Sequence, residues 1–174
     1  MRTPIFAFVL SALVTGLVVH LATVEALPRV IMSRAISTLS DAGIRSNSWT
    51  LAPRITPQNQ TIVRSSPDLA YAICILDLRD APLKLTAPKW KPYGSLSIFD
   101  RATANAHVSS LQGDQGDVTV IIAANGQAVP TAREAPLVRL PGTQGIALIR
   151  RLAPDPSLHA QATAINNNTT CTAL

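Results

Sequence analysis

One stretch limits what this chain can become. Residues 5–24 read IFAFVLSALVTGLVVHLATV, 20 positions without Asp, Glu, Lys or Arg. As a helix rising about 1.5 Å per residue, such a run is about 30 Å long, the thickness of a bilayer's hydrocarbon core. A secretory signal needs an apolar stretch of only about 7–15 residues. The expected element is a transmembrane anchor over 5–24, with a cleaved signal ending near Val24-Glu25-Ala26 as the alternative. Charge hardly sets its direction, because Arg2 precedes the run while Arg29 and Arg34 follow it.

His20 is the ionisable group inside the run. Near an interface a neutral imidazole can satisfy itself on headgroups or a carbonyl. The sharper reading is a hydrogen bond to a partner helix, which the small Ser11, Thr15 and Gly16 would allow to approach.

After the run, Pro28 suits a first helical position and Gly43 a position just past a helix end. Ile31, Ala35, Leu39 and Ala42 make one apolar stripe between them. A separate short amphipathic helix is expected over 28–43, lying on the membrane or on the next domain. Residues 45–67 hold Pro53, Pro57 and Pro67 among polar residues and read as a linker, with Trp49 and Leu51 able to dock on the domain.

From residue 68 to 174 the pattern turns β-rich. Tyr71 to Leu76 is apolar on both faces, as a buried central strand would be. Leu83, Leu85 and Ala87, and then Leu96 and Ile98, alternate with polar residues, which predicts half-buried strands. Val118 to Ala124 is a further strand, and Asn125-Gly126 after it is a hairpin signal. Pro136–Leu140 and Ile146–Arg150 are expected to pair around Pro141-Gly142. Ser157 to Ile165 reads as a short helix, and Asn166 to Thr170 as a frayed tail. The fold class is mainly β: an antiparallel sandwich or jelly-roll-like domain behind an N-terminal transmembrane helix, with one or two short helices.

Composition prunes the function classes. Of 174 residues 47% are hydrophobic, which excludes a disordered chain. Two cysteines cannot build a disulfide-rich mini-protein or a four-cysteine zinc site, and no metal or cofactor is expected. No Gly-x-Ser-x-Gly, His-Glu-x-x-His or phosphate-binding glycine loop is present, so no catalytic residues are assigned. Ser97, His107 and Asp100 would make a triad on paper only. The pI of 9.9 comes from basic residues scattered singly, with few aromatics to stack bases. Nucleic acid is therefore not an expected partner, whereas an anionic membrane is.

What remains is a short set of candidates. Asp77, Asp80 and Asp100 stand at strand ends and are expected to close turns, with acid–base work as the alternative. Arg101 follows Asp100, and Trp90 and Tyr93 flank Pro92 in a loop where they could stack a sugar or cover the core edge. Export to an oxidising compartment would permit a disulfide between Cys74 and Cys171; the alternative is two separate thiols, one of them a small core residue.

The run Asp77-Leu78-Arg79-Asp80-Ala81-Pro82 resembles the Asp-Leu-x-Asp-Gly-Pro turn of the bacterial domain-of-unknown-function family 1254, with Ala81 in place of the usual Gly. The likeness continues through Leu83–Pro88, Tyr93–Arg101 and Val118–Ile122. It ends in Gln144-Gly145-Ile146-Ala147-Leu148-Ile149-Arg150-Arg151-Leu152-Ala153-Pro154-Asp155-Pro156, so that it covers roughly residues 65–156. A short membrane-anchored subgroup shares the layout of one span followed by Ala-Leu-Pro, here Ala26-Leu27-Pro28. The resemblance implies export and a β-rich domain but no catalytic residues. The expected protein is a single-pass inner-membrane protein with a periplasmic domain that binds a ligand or a membrane-protein partner. The alternative is an envelope hydrolase acting on a glycan, which would need the carboxylates near Trp90 and Tyr93.

Overall fold

The computed structural model describes residues 3–56, 58, 65–130 and 135–174. Its elements in order are α1 (Thr3–Asp41), β1 (Trp49–Leu51), β2 (Leu69–Asp77), β3 (Leu83–Pro88), β4 (Gly94–Asp100), β5 (Asn105–Ser110), β6 (Asp117–Ala124), β7 (Leu137–Leu140), β8 (Gln144–Leu152), α2 (Pro156–Asn166) and β9 (Thr170–Ala173). The strands form a five-stranded sheet, β1-β2-β8-β4-β5, and a four-stranded sheet, β7-β6-β3-β9. Every pairing is antiparallel except the parallel β6–β7 pair.

The alternation read from the sequence places the core. Ala72, Cys74 and Leu76 of β2, Ala147 and Ile149 of β8, and Leu96 and Ile98 of β4 point inward from the larger sheet. They meet Leu83, Leu85, Val120, Ile122, Val138 and Leu140 of the smaller one. Period-two side chains on two facing sheets make a sandwich, the expected fold class. The serines of β4 are not wet as expected. Ser95 and Ser97 are buried, with the longer side chains of Arg150 and Leu148 on β8 and of Val108 on β5 as their cross-strand neighbours.

The anchor and the short helix expected after it are one element. α1 has 39 residues, about 58 Å of helix, and Pro28 lies inside it rather than at its start. A proline removes one backbone donor but does not forbid a helix. The side facing the domain is also one step from the expected stripe: Met32 is buried and Pro28, Ala35, Ile36 and Leu39 are half-buried, while Ile31 and Ala42 are exposed. Gly43 does close the helix. At φ +87° it lets its own N–H donate to Ser40 O at 2.9 Å and Ile44 N–H donate to Leu39 O at 3.1 Å, the paired bonds of a Schellman end.

Three other expectations are corrected. The stretch 45–67 is not all linker, since Trp49–Leu51 pairs with Ala72–Cys74; residues 57 and 59–64 of it lie outside those described. Asn125-Gly126 turns the chain but makes no hairpin. Only Gly126 has positive φ, Asn125 N–H donates to Leu140 O at 2.9 Å, and the next strand in that sheet, β7, runs parallel to β6. β7 and β8 do not pair with each other, because Pro141-Gly142 carries the chain from one sheet to the other. The expected short helix is present as α2, capped by the Asp155 carboxylate accepting from Ser157 and Leu158 N–H. The tail beyond it is partly ordered, with β9 added along β3.

Candidate functional site

The strand register decides which candidates can meet. Asp77 lies opposite Gln144 and Asp100 opposite Gly145, so both carboxylates stand at one end of the larger sheet with β8 between them. Asp100 is 7% exposed, and its Oδ1 accepts the amides of Ala102 at 2.8 Å and Ala104 at 2.9 Å. Asp77 accepts the Arg79 Nε–H at 2.9 Å, and that guanidinium holds its carboxyl below the usual range. Asn47 clamps the Asp77 backbone from the other side, donating to its carbonyl at 2.9 Å and accepting its amide at 2.8 Å. Asp80 is exposed in the loop between β2 and β3. Asp77 and Asp100 therefore do the turn-closing work expected of aspartates at strand ends.

Trp90 and Tyr93 are at the opposite end of β4. Six residue steps separate Gly94 from Asp100, about 20 Å of strand. Trp90 is 7% exposed and donates its indole N–H to Leu152 O at 3.0 Å, inside a second small core with Ala70, Ala153 and Ala162. Tyr93 is 50% exposed, with its hydroxyl donating to Ser95 Oγ at 3.2 Å. Trp90 has the covering role, and the structure does not bring the six candidate residues into one site. The glycan-hydrolysing arrangement is not assembled. Neither is the paper triad: His107 pairs with Ile98, next to Ser97, so the two side chains leave opposite faces of the sheet.

Cys74 and Cys171 do come together. One hangs from β2 and the other from β9, both face the core, and their sulfurs are 2.7 Å apart as two thiols. The hydrogen bond to Cys171, followed by burial, pushes the Cys74 thiol far up from its ordinary value. Trp49 Nε1–H of β1 donates to Thr170 O of β9 at 2.9 Å beside them, so β9 meets the larger sheet at both β1 and β2. A cleft of about 400 Å³ opens along this edge, lined by Asn47, Trp49, Leu51, Asn166 and Thr170 among others.

One group was missed. Arg151 is 0% exposed and donates to Pro88 O at 2.8 Å and to the Asn166 side chain under α2. It has no carboxylate partner among the described residues, and burial lowers its pKa to about 10. Its Nε–H and the Asn166 amide nitrogen have no partner among the described residues. Strand parity could have found it, because Ala147, Ile149 and Arg151 share a face.

Hollows lie where α1 crosses the outside of the larger sheet. One, about 430 Å³, is apolar and lined by Ala35, Leu39, Ala52, Tyr71, Ile73 and Leu148 among others. Another, about 310 Å³, lies between Arg29, Val30, Ser33 and Arg34 of the helix and Arg101 of the β4–β5 turn. Arg101 is thus brought to the helix and away from the aromatic pair. His20 projects from the exposed part of α1.

A family model described as "protein of unknown function (DUF1254)" matches residues 46–173. The chain belongs to the DUF1254 family. The match begins just before β1 and ends on β9, so it takes in the edge strands that the motif resemblance over 65–156 left out. Among solved structures, the DUF1254 chain is similar to the VPA0106 protein from Vibrio parahaemolyticus, with a TM-score of 0.65 and 14% identity over 84% of this chain and 35% of that one. An uncharacterized protein from Burkholderia cenocepacia gives a TM-score of 0.46 at 15% identity, covering 76% of this chain and 38% of that one. The chain spans little more than a third of either structure. No curated protein matches it.

Proposed function

We infer that this DUF1254 chain is a single-pass membrane protein whose sandwich is a binding module held against the bilayer. One observation carries the reading. Along α1 the large apolar side chains from Ile5 to Ile31 are each 50–73% exposed, and no other described residue covers them. Apolar surface on that scale is stable in lipid and not in water. Because α1 runs unbroken from the span onto the sheet, the domain is held at the membrane surface rather than on a loose tether.

The domain is proposed to lie in the periplasm, anchored in the inner membrane. The two core cysteines at contact distance support an oxidising side. His20, exposed within the span, and the small Ser11, Thr15 and Gly16 support a membrane-protein partner whose helix packs there. Fusing alkaline phosphatase after Leu174 and extracting membranes with alkaline carbonate tests the arrangement. Expected is an active fusion that stays in the pellet. A protein released by carbonate would remove the anchor, and a fusion active only as a cytosolic reporter would reverse the orientation.

A further inference from the structure

We propose that Arg29, Arg34 and Arg101 form a seat for the phosphate of an anionic phospholipid; this rests on the membrane-anchored reading above. The three arginines line one hollow of about 310 Å³, with Ser33 beside them as an added hydroxyl donor. Guanidinium forks match phosphate oxygens in pairs. Arg34 and Arg101 have no ion-pair partner among the described residues, while Arg29 shares the exposed Glu25 at 2.6 Å. Asp100, beside Arg101, spends one carboxylate oxygen on turn amides, and is largely buried. The balance at the hollow is positive.

Height along the helix favours a lipid as the source of the phosphate. If the core boundary lies at Val24, Arg29 stands about 7 Å and Arg34 about 15 Å beyond it. The headgroup layer is about 5–8 Å thick on each side. Helical side chains lean toward the helix N-terminus, so Arg34 reaches back toward that layer. Val30 lines the hollow, and Leu27 and Ile31 beside it are exposed. That apolar strip continues the span and gives acyl chains a wall that a free phosphate would not use.

The test uses the full chain. Flotation with pure phosphatidylcholine vesicles checks the anchor by itself. The chain is then placed in nanodiscs of phosphatidylcholine with a minority of phosphatidylglycerol, released gently, and its retained lipid weighed by native mass spectrometry. Phosphatidylglycerol should be enriched, Arg34→Gln and Arg101→Gln should each lower the enrichment about fivefold, and Arg45→Gln, past the helix end, should leave it unchanged. Excess inorganic phosphate should not displace the lipid. Equal enrichment in all variants, an equal loss with Arg45→Gln, or displacement by phosphate overturns the lipid seat. Failure to float removes the anchor and the seat together, whereas flotation without enrichment removes the seat alone.

Discussion

Oxidising Cys74 and Cys171 is expected to stabilise the sandwich strongly. The residues are 97 positions apart in sequence yet touch across the core. Two thiols plus oxidised glutathione give one protein disulfide and two reduced glutathiones, so the exchange balances without another reagent. Closing a loop of that size removes denatured-chain entropy worth about 4.7 kcal/mol on the polymer model, and measured disulfides usually deliver about 2–4 kcal/mol. With a urea m-value of about 2 kcal/mol/M, the midpoint should rise by about 1–2 M. Trp49 and Trp90 both lie in the sandwich, so their fluorescence follows its unfolding in detergent without reporting on α1. The oxidised midpoint should fall to the reduced one on adding a phosphine reductant, and Cys171→Ser should make the two conditions coincide. Because the Cys74 thiol stays protonated at neutral pH, exchange should be slow in the folded protein and fast in mild urea. An oxidised protein with an unchanged midpoint, or one that pairs only between chains on a non-reducing gel, would refute this reasoning.

Gly145→Ala should destabilise the domain by about 1–3 kcal/mol in the same urea assay, because an added Cβ would collide with the Phe99 carbonyl oxygen across the β4–β8 pairing. Arg151→Ala should cost about 3–5 kcal/mol, since it opens a cavity and strips the donor from two buried acceptors, Pro88 O and the Asn166 side chain. The α2 cap should weaken in acid: hydrogen bonds from Leu158 and Ser157 lower the Asp155 carboxyl below its ordinary value, so its contribution is present above that value and lost as pH falls through the folded one. Hydrogen exchange at the Leu158 amide should accelerate over that acid window, and Asp155→Asn, which still accepts without titrating, should flatten the response.

Sequence showed most where burial is regular. β2, β3, β4, β6 and β8 alternate cleanly or run apolar on both faces, and all five are strands. It showed least at the edges. β5 reads Asn-Ala-His-Val-Ser-Ser and is mostly exposed, so no apolar period marks it. β1 and β9 are short, and each depends on a partner far away in the chain. The Asn125-Gly126 signal describes a local turn correctly in kind, but a hairpin also needs an adjacent apolar strand, and Gln127-Ala128-Val129-Pro130 does not supply one. Pro28 misled for the same local reason: a helix-start preference was weighed without the long apolar run before it and the sheet-facing residues after it, which belong to one helix.

The candidate residues divide along a similar line. Asp77 and Asp100 were legible because turn chemistry is local, and two amides within four residues account for Asp100. What Arg101 does is not local. The β4–β5 turn aims it at α1, 67 positions away from Arg34 in the sequence, and only the crossing of helix over sheet makes the three arginines neighbours. The same crossing turns a basic but dispersed composition into one cluster of arginines beside the helix. A net charge of +5 says little by itself, since scattered lysines and arginines solvate separately. Three arginines lining one hollow, two of them on a helix whose preceding turns are apolar and exposed, give that charge a place to act.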